Sequence, residues 1–204
     1  MEPLASRIRP KSLAEFVGQE HLTAPNKTLR TAIEKKELFS FILWGPPGTG
    51  KTTLARIYSK EVGADFYELS AVEAGKDDIR KIIVKGQLFG PDSAKATAGR
   101  AKVLFIDEIH RFNKAQQDFL LPFVERGDIT LVGATTENPS FEVIGPLLSR
   151  CRVFILHELT NENMIEILAR TKIKMPKAAR DWLIDMSAGD ARSAITVLDT
   201  AQRL

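Results

Sequence analysis

Gly45 to Thr52 reads Gly-Pro-Pro-Gly-Thr-Gly-Lys-Thr and fits the pattern G-x-x-x-x-G-K-[ST] at every position. These residue types suit one task, holding a polyphosphate. Glycines let the backbone curl until successive N–H groups point inward, and a helix starting there presents its positive end to the anion. Lys51 would reach the β- and γ-phosphates and Thr52 would offer its hydroxyl to Mg²⁺, while Pro47, Gly48, Thr49, Gly50 and Thr53 complete the cradle. A second chemical pair stands at Asp107-Glu108. Two adjacent carboxylates mean little alone. Coupled to a phosphate loop they form a Walker A/Walker B pair: Asp107 supports Mg²⁺ through its water shell and Glu108 polarises the attacking water.

Both groups need strands to hold them. The apolar run Phe41-Ile42-Leu43-Trp44 leads into the loop, and a helical pattern (Leu54, Ala55, Ile57, Tyr58, Val62) leads out. Val103-Leu104-Phe105-Ile106 has the uninterrupted hydrophobicity of a central parallel strand covered on both faces, with the carboxylates at its carboxyl end, where open α/β sheets bind ligands. Asp65 to Leu69, Ile129 to Gly133 and Val153 to Leu156 read as further strands. Interleaved helices are expected over Lys27 to Lys36, Asp77 to Leu88 and Asn113 to Phe123. In the last of these, Phe119, Leu120 and Phe123 are expected to be buried and Lys114, Gln116 and Gln117 to lie on the other face. The lead-in from Pro3 to Leu22 is too irregular for a long helix, and Ser12 with Glu15 could cap one short turn. Asp92 to Arg100 reads as a mobile surface loop. The pattern is that of a doubly wound α/β fold with a five-stranded parallel sheet sandwiched by helices.

Composition shifts at His157-Glu158. Thr160 to Arg170, Lys177 to Ser187 and Asp190 to Arg203 read as a small helical bundle, so the expected units are residues 1–157, a nucleotide-binding domain, and 158–204, an all-α lid incomplete at its C-terminus. A net charge of +3 is too weak to indicate nucleic-acid binding by itself, and a single Cys151 excludes an internal disulfide. No stretch approaches the roughly 18 apolar residues of a membrane span. A cytoplasmic location without membrane contact is therefore expected.

Taken together these residues resemble a AAA+ P-loop NTPase, and more narrowly the replication-associated recombination protein A family, also called MgsA, whose eukaryotic relatives interact with Werner helicase. The resemblance rests on Pro3 to Leu22, Trp44 to Thr52, Asp107 to Asp118 (Asp-Glu-Ile-His-Arg-Phe-Asn-Lys-Ala-Gln-Gln-Asp), Gly133 to Phe141 (Gly-Ala-Thr-Thr-Glu-Asn-Pro-Ser-Phe) and Gly189 to Arg192 (Gly-Asp-Ala-Arg). It implies ATP/ADP and Mg²⁺ as cofactors. It implies that Arg9, Pro10, Val17 and Gly18 wrap the adenine and ribose, and that Thr136, with Thr135 as second choice, is sensor 1. Arg192 would be sensor 2, and Arg150 an arginine finger acting on ATP held by a neighbouring subunit. Read without the family, Thr135 and Thr136 fit a strand-end turn, Arg150 a surface salt bridge and Arg192 a helix-start charge.

The implied function is a Mg²⁺-dependent, DNA-associated ATPase of replication-fork maintenance, recombination and repair, hydrolysing ATP at a subunit interface. The expected partners are DNA junctions, gaps or ends, further copies in a homo-oligomer of the full-length protein, single-strand-binding protein and replisome components, at forks in the nucleoid. The alternatives are a nucleotide-gated recruitment module of low turnover, a clamp-loader subunit and a Holliday-junction motor. His110, Arg111, Lys114 and Gln116 are candidate DNA contacts, to be weighed against a solvated helix face.

Overall fold

Five strands form one parallel sheet: β1 (Phe41–Trp44), β2 (Asp65–Ser70), β3 (Lys102–Asp107), β4 (Thr130–Thr135) and β5 (Arg152–Ile155), in the order β2-β3-β4-β1-β5. The computed structural model describes residues 3–85 and 100–202. The end of the helix expected through Leu88 and the loop expected over 92–99 lie outside the described residues. Phe41, Ile42 and Leu43 and all of Val103 to Ile106 are fully buried, as an apolar run without alternation requires.

Successive residues of β1 point to opposite faces. Phe41 and Leu43 join Leu54, Ile57 and Tyr58 of the helix Lys51–Val62 and Leu29 and Ile33 of the helix Thr28–Glu34. Ile42 joins Ile79 and Ile82 of the helix Lys76–Lys85 and Leu120 of the helix Lys114–Glu125. Register then aligns the chemistry: Trp44, which precedes the phosphate loop, pairs with Thr135, and Ser70 pairs with Asp107. The phosphate loop, the carboxylates and the threonines thus meet at one sheet edge.

The lid is built from helices Asn161–Ala169, Lys177–Ser187 and Ala191–Ala201, packed through Met164, Leu168, Leu183, Ile184, Ala194 and Ile195. Leu4, in the amino-terminal helix Leu4–Arg7, is buried in that same cluster, so the lead-in crosses from the core unit to the lid. No helix among the described residues is long and apolar enough to cross a membrane.

Three local expectations are corrected. Ser12 makes no side-chain cap on the turn Leu13–Glu15; the Glu15 carboxylate instead accepts from the Lys11 N–H at 2.8 Å. Gln117 is buried rather than outward-facing, donating to the carbonyls of Phe112 and Glu142 and accepting from Ile144 N–H, so it fastens its helix to the segment beyond β4. Phe119 and Phe123 are only partly buried. Burial pushes the Cys151 thiol up to about 12, which leaves it inert as a nucleophile.

Candidate functional site

A cleft enclosing about 1140 Å³, open solvent at its mouth included, lies between the sheet edge and the lid. On the core side it is lined by the loop from Pro47 to Thr53, by Asp107 and Glu108, and by Thr135 and Thr136. The loop's shape explains its glycines. Gly48 (φ 70°) and Gly50 (φ 97°) are left-handed, and Gly50 caps the helix that begins at Lys51. A Cβ on Gly45 would overlap the Leu156 carbonyl oxygen, and one on Gly48 would overlap the Asp190 carboxylate. Thr49 is buried and donates its hydroxyl to the Pro46 carbonyl, bracing the loop from within.

Lys51 Nζ donates to the carbonyls of Gly45 and Pro46, both at 2.7 Å. Burial lowers its pKa from 10.5 to about 8, against the opposing pull of the nearby Asp107. Folded Lys51 binds fewer protons than unfolded Lys51 between about pH 8 and 10.5, so stability without nucleotide rises with pH across that window. A polyphosphate beside Lys51 favours its charged form. Titration calorimetry in buffers of different ionisation enthalpy is therefore expected to find proton uptake on ATP binding, and weakening affinity, once pH passes about 8.

Asp107 ends β3, and Glu108 follows in a left-handed backbone conformation (φ 53°, ψ 47°) that starts the turn Ile109–Arg111. A left-handed backbone is uncommon for a residue with a Cβ, and Glu108 adopts it where it lines the cleft. The two threonines separate cleanly. Thr135 is 1% exposed, and its hydroxyl sits among His110 Nδ1 (3.0 Å), the Glu137 N–H and the Glu137 carbonyl. Thr136, which also lines the cleft, is exposed.

The lid closes the other side. Ala191, Arg192 and Ile195 line the cleft from its third helix, whose N-terminus Asp190 caps by accepting from Ser193 N–H at 3.0 Å. The same carboxylate lies against Gly48, so one residue starts the Arg192 helix and seats it on the phosphate loop. Arg9, Pro10 and Val17 line the cleft from the lead-in, beside Phe16. Burial, with the guanidinium of Arg56 close by, lowers the Arg9 pKa.

Two expected site residues are not among the cleft lining. Gly18 packs on the lid instead, where a Cβ would stand 2.8 Å from Leu159 Cδ2 and 3.1 Å from Asn163 Oδ1. Arg150 pairs with Glu125 at 2.6 Å and donates to the Pro146 carbonyl at 2.7 Å.

Other contributors were not visible in the sequence. Gln19 bridges 138 positions, donating to the His157 carbonyl (2.7 Å) and accepting from the His157 N–H (2.9 Å). His21 stacks on His157 with centroids 4.4 Å apart and reaches the Ile155 carbonyl at 2.8 Å. Together they clasp the exit of edge strand β5, where core passes into lid. Arg170, at the end of the first lid helix, bonds the Glu15 carbonyl and Glu166.

The donor set fits a nucleotide with Mg²⁺. Among the described residues no three His, Cys, Asp or Glu side chains cluster as a self-sufficient metal site. Mg²⁺ needs none, because it binds through one or two protein oxygens, substrate phosphates and water; Thr52 and Asp107 both line the cleft.

The profile of the ATPase family associated with various cellular activities (AAA) matches residues 41–159. The chain belongs to the AAA family. Among curated proteins it is 46% identical over 208 residues to "Replication-associated recombination protein A" of Coxiella burnetii, covering 97% of this chain and 46% of that protein. It is also 46% identical to "ATPase WRNIP1" of Dictyostelium discoideum, covering 98% of this chain and 23% of that protein. The chain thus spans less than half of either relative. Among solved structures, the Thermotoga maritima RuvB Holliday junction branch migration motor superposes with a TM-score of 0.72 at 36% identity, over 92% of this chain and 63% of that one. The five-stranded sheet with its helical lid is the AAA+ fold that the sequence predicted.

Proposed function

We propose that this AAA protein is a Mg²⁺-dependent, DNA-associated ATPase of replication-fork maintenance, recombination and repair, completing its active sites between subunits. One observation carries the reading: a single cleft collects Lys51, Thr52, Asp107, Glu108, Thr136 and Arg192 but leaves Arg150 outside. Thr52 and Asp107 would hold Mg²⁺, whose chemistry is to neutralise charge between the β- and γ-phosphates. Glu108 accepts a proton from the attacking water, and Thr136 orients that water against the γ-phosphate. Lys51, Arg192 and a neighbour's Arg150 neutralise the transferring group. Arg9, Pro10 and Val17 enclose the base and ribose, with Gly18 giving the lead-in its close approach to the lid. Closure onto Arg192 and relaxation after hydrolysis move the lid about His157, the point clasped by Gln19 and His21.

The similarity to replication and recombination proteins supports DNA ends, gaps or junctions as the partner, homo-oligomers as the working form, and replication forks as the place of action. Of the four candidate DNA contacts, His110 and Gln116 are bonded internally, Gln116 in a capping box with Asn113 and to the Ala74 carbonyl. Arg111 and Lys114 are exposed. Lys114→Ala is expected to weaken DNA binding without regard to sequence and to lower the salt slope by about 1. Fluorescence anisotropy on gapped DNA across a salt series checks this; an unchanged affinity and slope would leave that helix a solvated face.

A further inference from the structure

Among the described residues lining the cleft, Glu108 alone combines a side chain with a left-handed backbone. That geometry is uphill for any residue with a Cβ and persists only where the surroundings over-determine it. The surroundings here are the turn that follows, closed by Arg111 N–H on the Glu108 carbonyl (2.8 Å) and Phe112 N–H on the Ile109 carbonyl (3.1 Å). The turn is fastened to β4 at two places. Ile109 is fully buried against Gly133, where an added Cβ would come within 3.0 Å of Ile109 Cδ1. The polar fastening is His110 Nδ1 to Thr135 Oγ1, at 3.0 Å, and Thr135 immediately precedes Thr136.

We propose that His110 is a positioning residue: its bond to Thr135 locks the Glu108 turn to the strand end carrying Thr136, so the water-activating carboxylate and the γ-phosphate sensor keep a fixed spacing. The proposal rests on the hydrolysis reading above. The bridge suits either imidazole tautomer. Thr135 can donate to an unprotonated Nδ1, or accept from a protonated one while donating to the Glu137 carbonyl 3.1 Å away. Either way the histidine faces the sheet, and its ring is not offered to DNA through Nδ1.

The test compares His110→Ala, His110→Asn, Thr135→Val and the double variant His110→Ala/Thr135→Val in the full-length protein, by single-turnover ATP hydrolysis and ATP binding. Misplacing a reacting group by a fraction of its contact distance is expected to slow His110→Ala roughly ten- to hundredfold, with ATP affinity held within about twofold. Asparagine keeps a polar atom near the Nδ1 position and is expected to recover much of the loss. In the Thr135→Val background, His110→Ala is expected to add nothing. An unchanged rate for His110→Ala, or losses that multiply in the double variant, would overturn the proposal. A second measurement separates this from the ATPase reading: without nucleotide, amide exchange at Arg111 and Phe112 should quicken in His110→Ala and Thr135→Val alike. Exchange that stays at the native rate overturns the fastening even if no variant hydrolyses ATP, whereas native protein that binds ATP without turnover contradicts only the hydrolysis reading.

Discussion

Replacing Arg150 with alanine is expected to lower ATP turnover of the assembled protein by about 10³–10⁵-fold while ATP binding survives, because a guanidinium delivered to the transferring phosphoryl group acts on the transition state. In its own chain Arg150 lies outside the cleft lining, with a side chain 40% exposed and paired to Glu125, which is 46% exposed. Such a surface pair contributes at most about 1 kcal/mol and breaks easily on assembly. The mutant should therefore fold normally. Mixing experiments give the sharper result: Arg150→Ala chains combined with Glu108→Gln chains should regain activity, since some mixed interfaces face an intact Glu108 with an intact Arg150. A mutant that keeps its native rate would reduce Arg150 to the surface ion pair that its sequence context alone suggests.

Glu108→Gln is expected to slow hydrolysis by roughly 10²–10⁴-fold, the usual contribution of a positioned general base. Glutamine preserves the shape of the side chain and the turn beneath it but cannot take a proton from water. Binding of ATP, set by the phosphate loop and Lys51, should remain. Equilibrium binding and single-turnover rates on one preparation separate the two effects. A lost affinity would place Glu108 in ground-state binding instead.

Much of the sheet and the core of the site could be read from local patterns. Phe41 to Trp44 and Val103 to Ile106 are apolar because both faces are covered, and parallel pairing through β4 brings the carboxyl ends of both strands, followed by Lys51 and ending in Asp107, to one edge. The lid was legible for a related reason: Pro176, Gly189 and Asp190 are punctuation that helices need wherever they occur. What escaped were polar contacts between distant segments. Gln117 resembles a solvent-facing glutamine by helical spacing, and only the segment from Glu142 to Ile144 makes it a buried fastener. Gln19 and His157 carry no local mark of their pairing. Ser12 and Glu15 fit a capping pattern, but the chain turned so that Glu15 met the Lys11 N–H instead. Arg150 and Gly18 entered as site residues through family resemblance, and the cleft of one chain accommodates neither in its lining.

Completion of the active site between subunits is tested most directly by steady-state ATP turnover per chain across a wide protein concentration range, with gapped DNA present throughout. Turnover should climb with concentration and then level off, and Arg150→Ala should remove the climb. Turnover that is substantial at the lowest concentration, flat thereafter and indifferent to Arg150 would contradict the account, since each chain would then hold a complete catalytic set of its own.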